Sequence, residues 1–151
     1  MNKYAEKIKN NPLLQKIVPL CTECEAFLVG GFLRDLLMGR ESSDIDIVVP
    51  QGCAKELCEK ICSALEAYFV PLDEENRIYR AVLPDKATYI DIADIEGSGI
   101  EQDLQRRDFT INAIGFDLKK GEFIDITGGI KDIEAKIIRQ ISEKNITDDP
   151  L

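Results

Sequence analysis

Residues 27–49 of the 151-residue chain read FLVGGFLRDLLMGRESSDIDIVV, and this stretch decides the fold. Its pattern predicts a short apolar strand, a glycine pair, a helix over 32–38 and a second strand over 45–49. Because side chains alternate along a strand, the carboxylates of Asp44 and Asp46 share one face, roughly 6.5 Å apart along the strand. Two such carboxylates suit Mg²⁺, which usually takes one or two and completes its shell with substrate phosphates.

The glycine pair, Gly30 and Gly31, opens the predicted helix, whose free N–H groups and positive dipole end suit an anion. Both features also have plainer interpretations. A Gly-Gly pair often forms an ordinary tight turn, and Asp-Ile-Asp also fits an edge strand with its acids in water. Their order, with a phosphate-sized turn about a dozen residues before the acids, is more specific than either feature alone.

Composition indicates a globular domain that can bury a core, with 44% hydrophobic and 31% charged residues. The apolar runs are too short to span a bilayer. The N-terminal sequence MNKYAEKIKNNP lacks the apolar region of a secretory signal, so we expect a cytosolic protein. The net charge of -9 argues against nonspecific nucleic-acid binding by the whole domain, although a local basic patch remains compatible with it.

The five cysteines are an odd number, which argues against a closed disulfide framework and fits a reducing compartment. Cys21 and Cys24 form a CxxC pair, and Cys58 and Cys62 lie one turn apart on a predicted helix. Since the chain has no histidine, a zinc site would need four sulfurs or added carboxylates. Buried thiols are the favoured interpretation.

Outside the opening stretch, the pattern predicts one compact α/β domain. Residues 1–10 are expected to be ordered only in part, and a helix from 12 to 24 is expected to begin at the N-cap Asn11 and to be ended or kinked by Pro19. The remaining predicted elements are helices over 53–68 (Leu57, Ile61, Ala64 and Leu65 inward), 100–105 and 130–135, and strands over 26–29, 69–72, 78–83, 88–93, 114–118, 123–126 and 137–139.

Two further segments carry chemistry. Asp91 stands alone among apolar neighbours in the predicted strand 88–93. It completes a three-carboxylate cluster if that strand lies beside Asp44 and Asp46, and it is otherwise a solvent-facing acid. The second segment, RRDFTINA over 106–113, combines arginine forks suited to phosphate with an Asp and an Asn suited to sugar hydroxyls. A salt-bridged helix cap at the surface is the alternative for this segment.

Three separated segments, LVGGFLRDLLMGRESSDIDIVV, RRDFTINAIGFD and FIDITGGIKDIEAKIIRQI, occur in the order typical of one family. Together they resemble the N-terminal catalytic head domain of class II, bacterial-type tRNA nucleotidyltransferases and poly(A) polymerases, in the polymerase-β-like superfamily. The resemblance runs from about residue 27 to 151. It implies an α/β (α+β) fold with a mixed, mainly antiparallel central sheet flanked by helices. The implied organisation is an N-terminal helical segment over 1–25 and a head domain over 26–151.

The resemblance also implies a role for each matched position. The nucleotide's phosphates are held by Gly30 and Gly31, with Arg34 nearby. The metal is held by Asp44, Asp46 and Asp91. The sugar and phosphates are contacted by Arg106, Arg107, Asp108 and Asn112 of the RRDFTIN motif, and the base is read by Asp149 near the end.

The implied activity is addition of CMP and AMP, from CTP and ATP, to the tRNA 3′ end by two Mg²⁺ ions, with release of pyrophosphate. One ion lowers the pKa of the terminal 3′-hydroxyl, and the other stabilises the departing pyrophosphate. CC-only addition, A-only addition and poly(A) synthesis are alternatives within this class. A catalytically silent nucleotide-binding module and a transferase for a small molecule or a protein are alternatives from other classes.

The chain departs from the family pattern in two places. Residues 92–105 replace what is a longer flexible loop in many members, and the base-reading element stops at Leu151, one residue before its expected arginine. The family's neck, body and tail domains are also missing. We therefore expect a head-domain fragment that binds Mg²⁺ and nucleotide weakly and adds nucleotides poorly by itself.

Overall fold

The computed structural model describes residues 2–142, which form one sheet with most helices on one face and the helix Ile100–Gln105 on the other. The helices are α1 (Asn2–Lys9), α2 (Pro12–Ile17), α3 (Gly31–Leu37), α4 (Ala54–Leu65), α5 (Ile100–Gln105) and α6 (Gly129–Ala135), with 3-10 turns at Val18–Leu20 and Thr110–Asn112. The strands are β1 (Phe27–Val29), β2 (Asp44–Val49), β3 (Tyr68–Asp73), β4 (Ile78–Val82), β5 (Tyr89–Asp94), β6 (Gly115–Asp117) and β7 (Glu122–Ile124).

Within the described residues the sheet has seven strands in the order β3-β4-β5-β2-β1-β6-β7. Only β2 and β5 pair in parallel, and the other five neighbouring pairs are antiparallel. This topology confirms the predicted mixed, mainly antiparallel sheet. It also shows that the edge-strand interpretation of Asp-Ile-Asp is wrong, because β2 lies in the middle of the sheet between β5 and β1.

The main core lies between the helices and one face of this sheet. In β2 that face carries Ile45, Ile47 and Val49, all almost fully buried. The N-terminal helices contribute Ile8, Leu14 and Ile17 to the same core. The expectation of partial order over residues 1–10 is therefore wrong for the described part, because α1 has an apolar side to bury. No helix within residues 2–142 has the length and apolar character needed to cross a bilayer.

Both the start of α2 and its end at Pro19 follow the predicted chemistry. The Asn11 side chain accepts the N–H groups of Leu13 and Leu14, each at 3.0 Å, which confirms the N-cap. The α-helix ends at Ile17 and passes into a 3-10 turn over Val18–Leu20, which confirms that Pro19 ends it. The predicted extent to residue 24 is therefore too long.

Two other predicted elements differ from the structure. Helix α4 ends at Leu65, before Glu66 in the left-handed region at φ 55°, and its buried face uses Cys58 and Cys62 while Ala64 is exposed. The sulfurs take the positions that a 3.6-residue period assigns to the core. The predicted strand 137–139 has no regular secondary structure. It is joined to the RRDFTIN motif by the Thr110 N–H, which donates to the Arg139 carbonyl at 3.0 Å, and by an antiparallel bridge between Gln140 and Phe109.

The cysteines do not all remain thiols in the structure. Cys24, after the first 3-10 turn, and Cys53, the residue before α4, form a disulfide across 29 positions of sequence. Cys21, Cys58 and Cys62 are free and buried. The preference for five thiols is therefore wrong for one pair, because the tertiary fold brings together two cysteines that no local spacing connects. Burial raises the pKa of the Cys21 and Cys58 thiols, which keeps them protonated at neutral pH.

Reduction of this disulfide is expected to lower the free energy of unfolding by about 3 kcal/mol, because the bond restricts the unfolded chain over its closed loop. The measurement is urea denaturation with and without a phosphine reductant. The double variant Cys24→Ser/Cys53→Ser is the control, since its stability should not respond to reductant. Equal stability of the native chain in both conditions, with five alkylatable cysteines after unfolding, would contradict the bond.

Candidate active site

The sheet face opposite the main core carries the acids predicted to bind metal. Asp44 and Asp46 lie on this face of β2, between buried isoleucines that point the other way. The parallel pairing of β2 with β5 sets Asp91 directly beside Asp46. The strand of Asp91 therefore does lie next to β2, which was the condition for a three-acid cluster.

The environments of the two β2 acids differ. Asp44 is exposed, whereas Asp46 is partly buried. The pKa of Asp46 is raised to about 6, mainly by burial and also by the negative charges of Asp91 and Asp44, while Arg107 and Arg80 oppose the shift. A carboxylate held among like charges in a partly buried position gains when a cation binds, because the cation removes the repulsion.

The glycine turn lies directly against Asp46. Gly30 follows β1 with φ +73°, and a Cβ added there would lie 3.1 Å from Asp46 Oδ2 and 3.8 Å from Arg107 Nη1. A Cβ on Gly31 would lie 3.3 Å from Arg34 Nη2. Positive φ and close approach both require glycine at position 30. The turn thus lies between the carboxylate of Asp46 and the guanidinium groups of Arg34 and Arg107. A turn that only connects two elements does not need these charged neighbours.

Arg34 is held in place by the RRDFTIN motif. Its Nη1 donates to Asn112 Oδ1 at 2.9 Å, and Asn112 Nδ2 donates to Asp108 Oδ1 at 3.1 Å. Asp108 is buried and also accepts the Phe109 N–H at 2.7 Å. This chain of hydrogen bonds joins residues 78 positions apart. It brings three predicted phosphate and sugar residues, Arg34, Asp108 and Asn112, into one continuous network.

The two arginines of the motif have different surroundings. Arg107 points toward Gly30 and donates to the buried Asp103, with Nη2 3.1 Å from Oδ2. Arg106 is half exposed and pairs with Glu96. The structure therefore brings Arg107 to the glycine turn, whereas Arg106 forms a surface salt bridge of the kind expected for a helix cap. Asp149 lies outside the described residues.

Two residues of the site were missed by sequence reasoning. Arg80 donates to both oxygens of Asp91, at 2.7 and 3.0 Å, from the neighbouring strand β4. Asp103 holds Arg107 and also accepts the Glu96 N–H at 2.9 Å. Signals for both were present: Arg80 is a lone charge in an apolar strand that precedes Asp91 by one hairpin, and Asp103 stands four residues before Arg107 on a helix.

The donor chemistry of this face fits a hard divalent cation. Asp44 and Asp46 supply two carboxylates, which is the number Mg²⁺ usually takes from protein when phosphates complete its shell. Within residues 2–142 no three acidic, thiol or imidazole groups are already close enough to hold a metal together. The absence of a ready three-acid cluster agrees with the ion pair between Asp91 and Arg80, because the third carboxylate is already bound to a guanidinium group.

The comparisons with known proteins agree with this geometry. The family model of the poly A polymerase head domain matches residues 26–98 and 74–139. The chain is 42% identical over 129 residues to the CC-adding tRNA nucleotidyltransferase of Synechocystis sp., a match that covers 84% of this chain and 30% of that protein. It is 35% identical to the A-adding tRNA nucleotidyltransferase of Deinococcus radiodurans, with 83% and 28% covered.

Among solved structures, the Thermotoga maritima CCA-adding enzyme complexed with tRNA aligns with a TM-score of 0.84 at 34% identity, covering 99% of this chain and 37% of that one. A CCA-adding enzyme in complex with CTP aligns with the same score. Fold and site therefore define a head domain of the nucleotidyltransferase class. The chain belongs to the poly A polymerase head domain family, as its three motifs predicted. It spans about 30% of the length of the curated relatives it matches.

Proposed function

We propose that this chain is the catalytic head of an enzyme that adds CMP and AMP, from CTP and ATP, to the 3′ end of tRNA. The observation that carries this proposal is the position of the Asp46 carboxylate against Gly30, where an added Cβ would lie 3.1 Å from Oδ2, because it joins the proposed phosphate-binding turn to a proposed metal-binding acid. The relatives named above, which add CC, A or CCA, support the tRNA end as acceptor. Because CC-adding and A-adding relatives both match, CC-only, A-only and poly(A) addition remain alternatives within the same proposal.

In this proposal Asp44 and Asp46 hold Mg²⁺, with Asp91 as the third carboxylate. Two Mg²⁺ ions bound there would lower the pKa of the RNA 3′-hydroxyl and neutralise the departing pyrophosphate. Residues 26–151 form the head domain and residues 1–25 its N-terminal helical segment. A cytosolic location belongs to the same proposal, since a tRNA end is an intracellular substrate.

The protein's own part is positioning and charge neutralisation. Arg34 and Arg107 flank the glycine turn, so a triphosphate lying on that turn meets a guanidinium group on each side. Asn112 fixes the Arg34 guanidinium, and Asp103 fixes that of Arg107. The proposal includes sugar contacts from Asp108 and Asn112, a phosphate contact from Arg106 and base recognition by Asp149. The guanidinium groups of Arg34, Arg106 and Arg107 supply local positive charge in a chain whose net charge is -9.

The test is addition of labelled CTP and ATP to tRNA lacking its CCA end, by this chain and by a longer chain that continues past Leu151. We expect efficient addition by the longer chain and weak addition by this one, since the relatives are about three times as long. Mg²⁺-dependent binding of CTP to the 151 residues is the second measurement. Efficient, base-selective addition by the 151 residues would remove the fragment interpretation.

Two other results would favour the alternatives. Unchanged activity of the longer protein after Asp44→Asn would favour a silent nucleotide-binding module, because metal-dependent transfer cannot survive that loss. Nucleotide transfer to another acceptor, with no extension of tRNA, would favour a transferase for a small molecule or a protein.

A further inference from the structure

The ion pair between Arg80 and Asp91 places a protein cation inside the proposed metal site. Arg80 Nε lies 2.7 Å from Asp91 Oδ1, and Nη2 lies 3.0 Å from Oδ2. This is the bidentate geometry in which the planar guanidinium uses both carboxylate oxygens at once. The side chains are 31% and 24% exposed, so neither charge is fully solvated.

The sheet register explains why this pair concerns the metal. Arg80 on β4 pairs with Asp91 on β5, and Asp91 pairs with Asp46 on β2, so the three form one row across the sheet. Tyr89, which pairs with Asp44, also holds the guanidinium, whose Cζ lies 4.6 Å from the ring centroid. The cation is thus fixed beside the acids by a carboxylate fork and an aromatic face.

A second arginine–aspartate pair lies between Arg77, just before β4, and Asp94, the last residue of β5, and it holds other groups. Arg77 Nε lies 2.6 Å from Asp94 Oδ2, but the Asp94 oxygens also accept the N–H groups of Gly52 and Ala54, at 2.9 and 3.1 Å. That pair fastens the start of α4 to the end of β5. The Arg77–Asp94 pair offers a control for Arg80, because it is an equally close ion pair that lies outside the row formed by Arg80, Asp91 and Asp46.

We propose that Arg80 is the resident counter-ion of Asp91 and competes with the divalent metal for that carboxylate. The inference rests on the proposed function, since it takes Asp44, Asp46 and Asp91 as the metal-binding acids. A guanidinium bound to both oxygens of Asp91 uses one lone pair of each and repels a dication nearby. Metal therefore binds Asp91 more weakly while Arg80 holds it. Arg80 is a positioning residue that sets metal affinity and balances the charge of Asp91 before the metal arrives.

The competition makes metal binding and the release of Arg80 reciprocal. An anion that binds the released guanidinium strengthens metal binding by the same factor by which the metal strengthens anion binding. Pyrophosphate is the simplest such anion. We expect it to raise Mn²⁺ affinity less in a variant that lacks Arg80 than in the native chain.

The experiment is titration of the 151-residue chain with Mn²⁺, with free Mn²⁺ measured by electron paramagnetic resonance and folding checked by circular dichroism. Arg80→Gln is expected to raise Mn²⁺ affinity about three- to tenfold, because a positive charge leaves the site. Arg77→Gln is the matched control and should leave the affinity unchanged. Adding Asp91→Asn to Arg80→Gln should cancel the gain, because the freed carboxylate is then gone.

Unchanged or weaker Mn²⁺ binding in folded Arg80→Gln would overturn the competition. If that variant does not fold, Arg80→Lys carries the test, since it keeps the charge and loses the fork, and about a twofold gain is expected. Asp46→Asn separates the two proposals. If it leaves Mn²⁺ binding intact while Arg80→Gln still shows the gain that Asp91→Asn cancels, the metal site of the proposed function fails and the competition at Asp91 stands.

Discussion

Replacement of Asp46 by asparagine is expected to lower nucleotidyl transfer by at least about 10³-fold and, at the same time, to stabilise the metal-free protein at pH 7.5. The loss of activity follows from the loss of a proposed metal ligand, because such a metal contributes several kcal/mol of transition-state stabilisation. The gain in stability follows from removal of a partly buried charge that lies beside Asp91 and Asp44.

The pH dependence of this stability effect has a definite sign. The folded pKa of Asp46 is about 6, above the ordinary value of 3.8, so the folded state binds its proton more tightly than the unfolded state does. The stability that this carboxyl contributes is fully present below pH 3.8 and is lost as the pH rises through 6. A shift of this size corresponds to about 3 kcal/mol at most, and we expect 1 to 2 kcal/mol after relaxation.

Urea denaturation of the metal-free chain between pH 4 and 8, with the native and variant proteins side by side, measures this effect. The stability difference should be small at pH 4, should grow as the pH rises to about 6 and should stay constant above that. Asp44→Asn is the matched control: it should also abolish transfer, but it should change stability little because Asp44 is exposed. Equal stability of native protein and Asp46→Asn at pH 8 would contradict the expected gain.

The second large effect is expected from Gly129→Ala, which should reduce the free energy of unfolding by more than about 3 kcal/mol or prevent folding. A Cβ at position 129 would lie 2.1 Å from the Thr110 carbonyl oxygen and 2.8 Å from Ile114 Cγ1. The Thr110 backbone cannot easily move away from a Cβ at position 129, because two hydrogen bonds hold this residue. Its N–H donates to the Arg139 carbonyl at 3.0 Å, and its hydroxyl donates to Asp132 at 2.6 Å.

This substitution should also reach the active site, because Thr110 begins the 3-10 turn that carries Asn112. Displacement of that turn would lengthen the Asn112 hydrogen bond to Arg34. Gly99→Ala is the control, since its backbone is extended and a Cβ there meets nothing within 4 Å. Urea denaturation and CTP binding measure the two effects. Native stability and native CTP affinity in Gly129→Ala would show that the contact is relieved at no cost.

Strand alternation and helix period were enough to predict most of the fold. The acids of β2, the glycine turn, α3 and α5 lie where the pattern placed them, because each depends on contacts between near neighbours in sequence. The errors of prediction occurred where contacts between residues distant in sequence determine the structure. Ala64 of α4 is exposed, Cys24 meets Cys53, and the segment after α6 makes a single antiparallel bridge from Gln140 to Phe109 instead of a strand over 137–139.

For the site, the sequence alone determined the kind of chemistry: paired carboxylates on one strand, a glycine turn before a helix, and an arginine-rich motif of family type. Only the tertiary structure decided which of these groups meet. It set Asp91 beside Asp46, turned Arg107 and not Arg106 toward Gly30, and paired Asp91 with Arg80 across the hairpin. The physical reason is that side-chain type and spacing are local properties, whereas strand register and the partner of each charge depend on how distant segments pack.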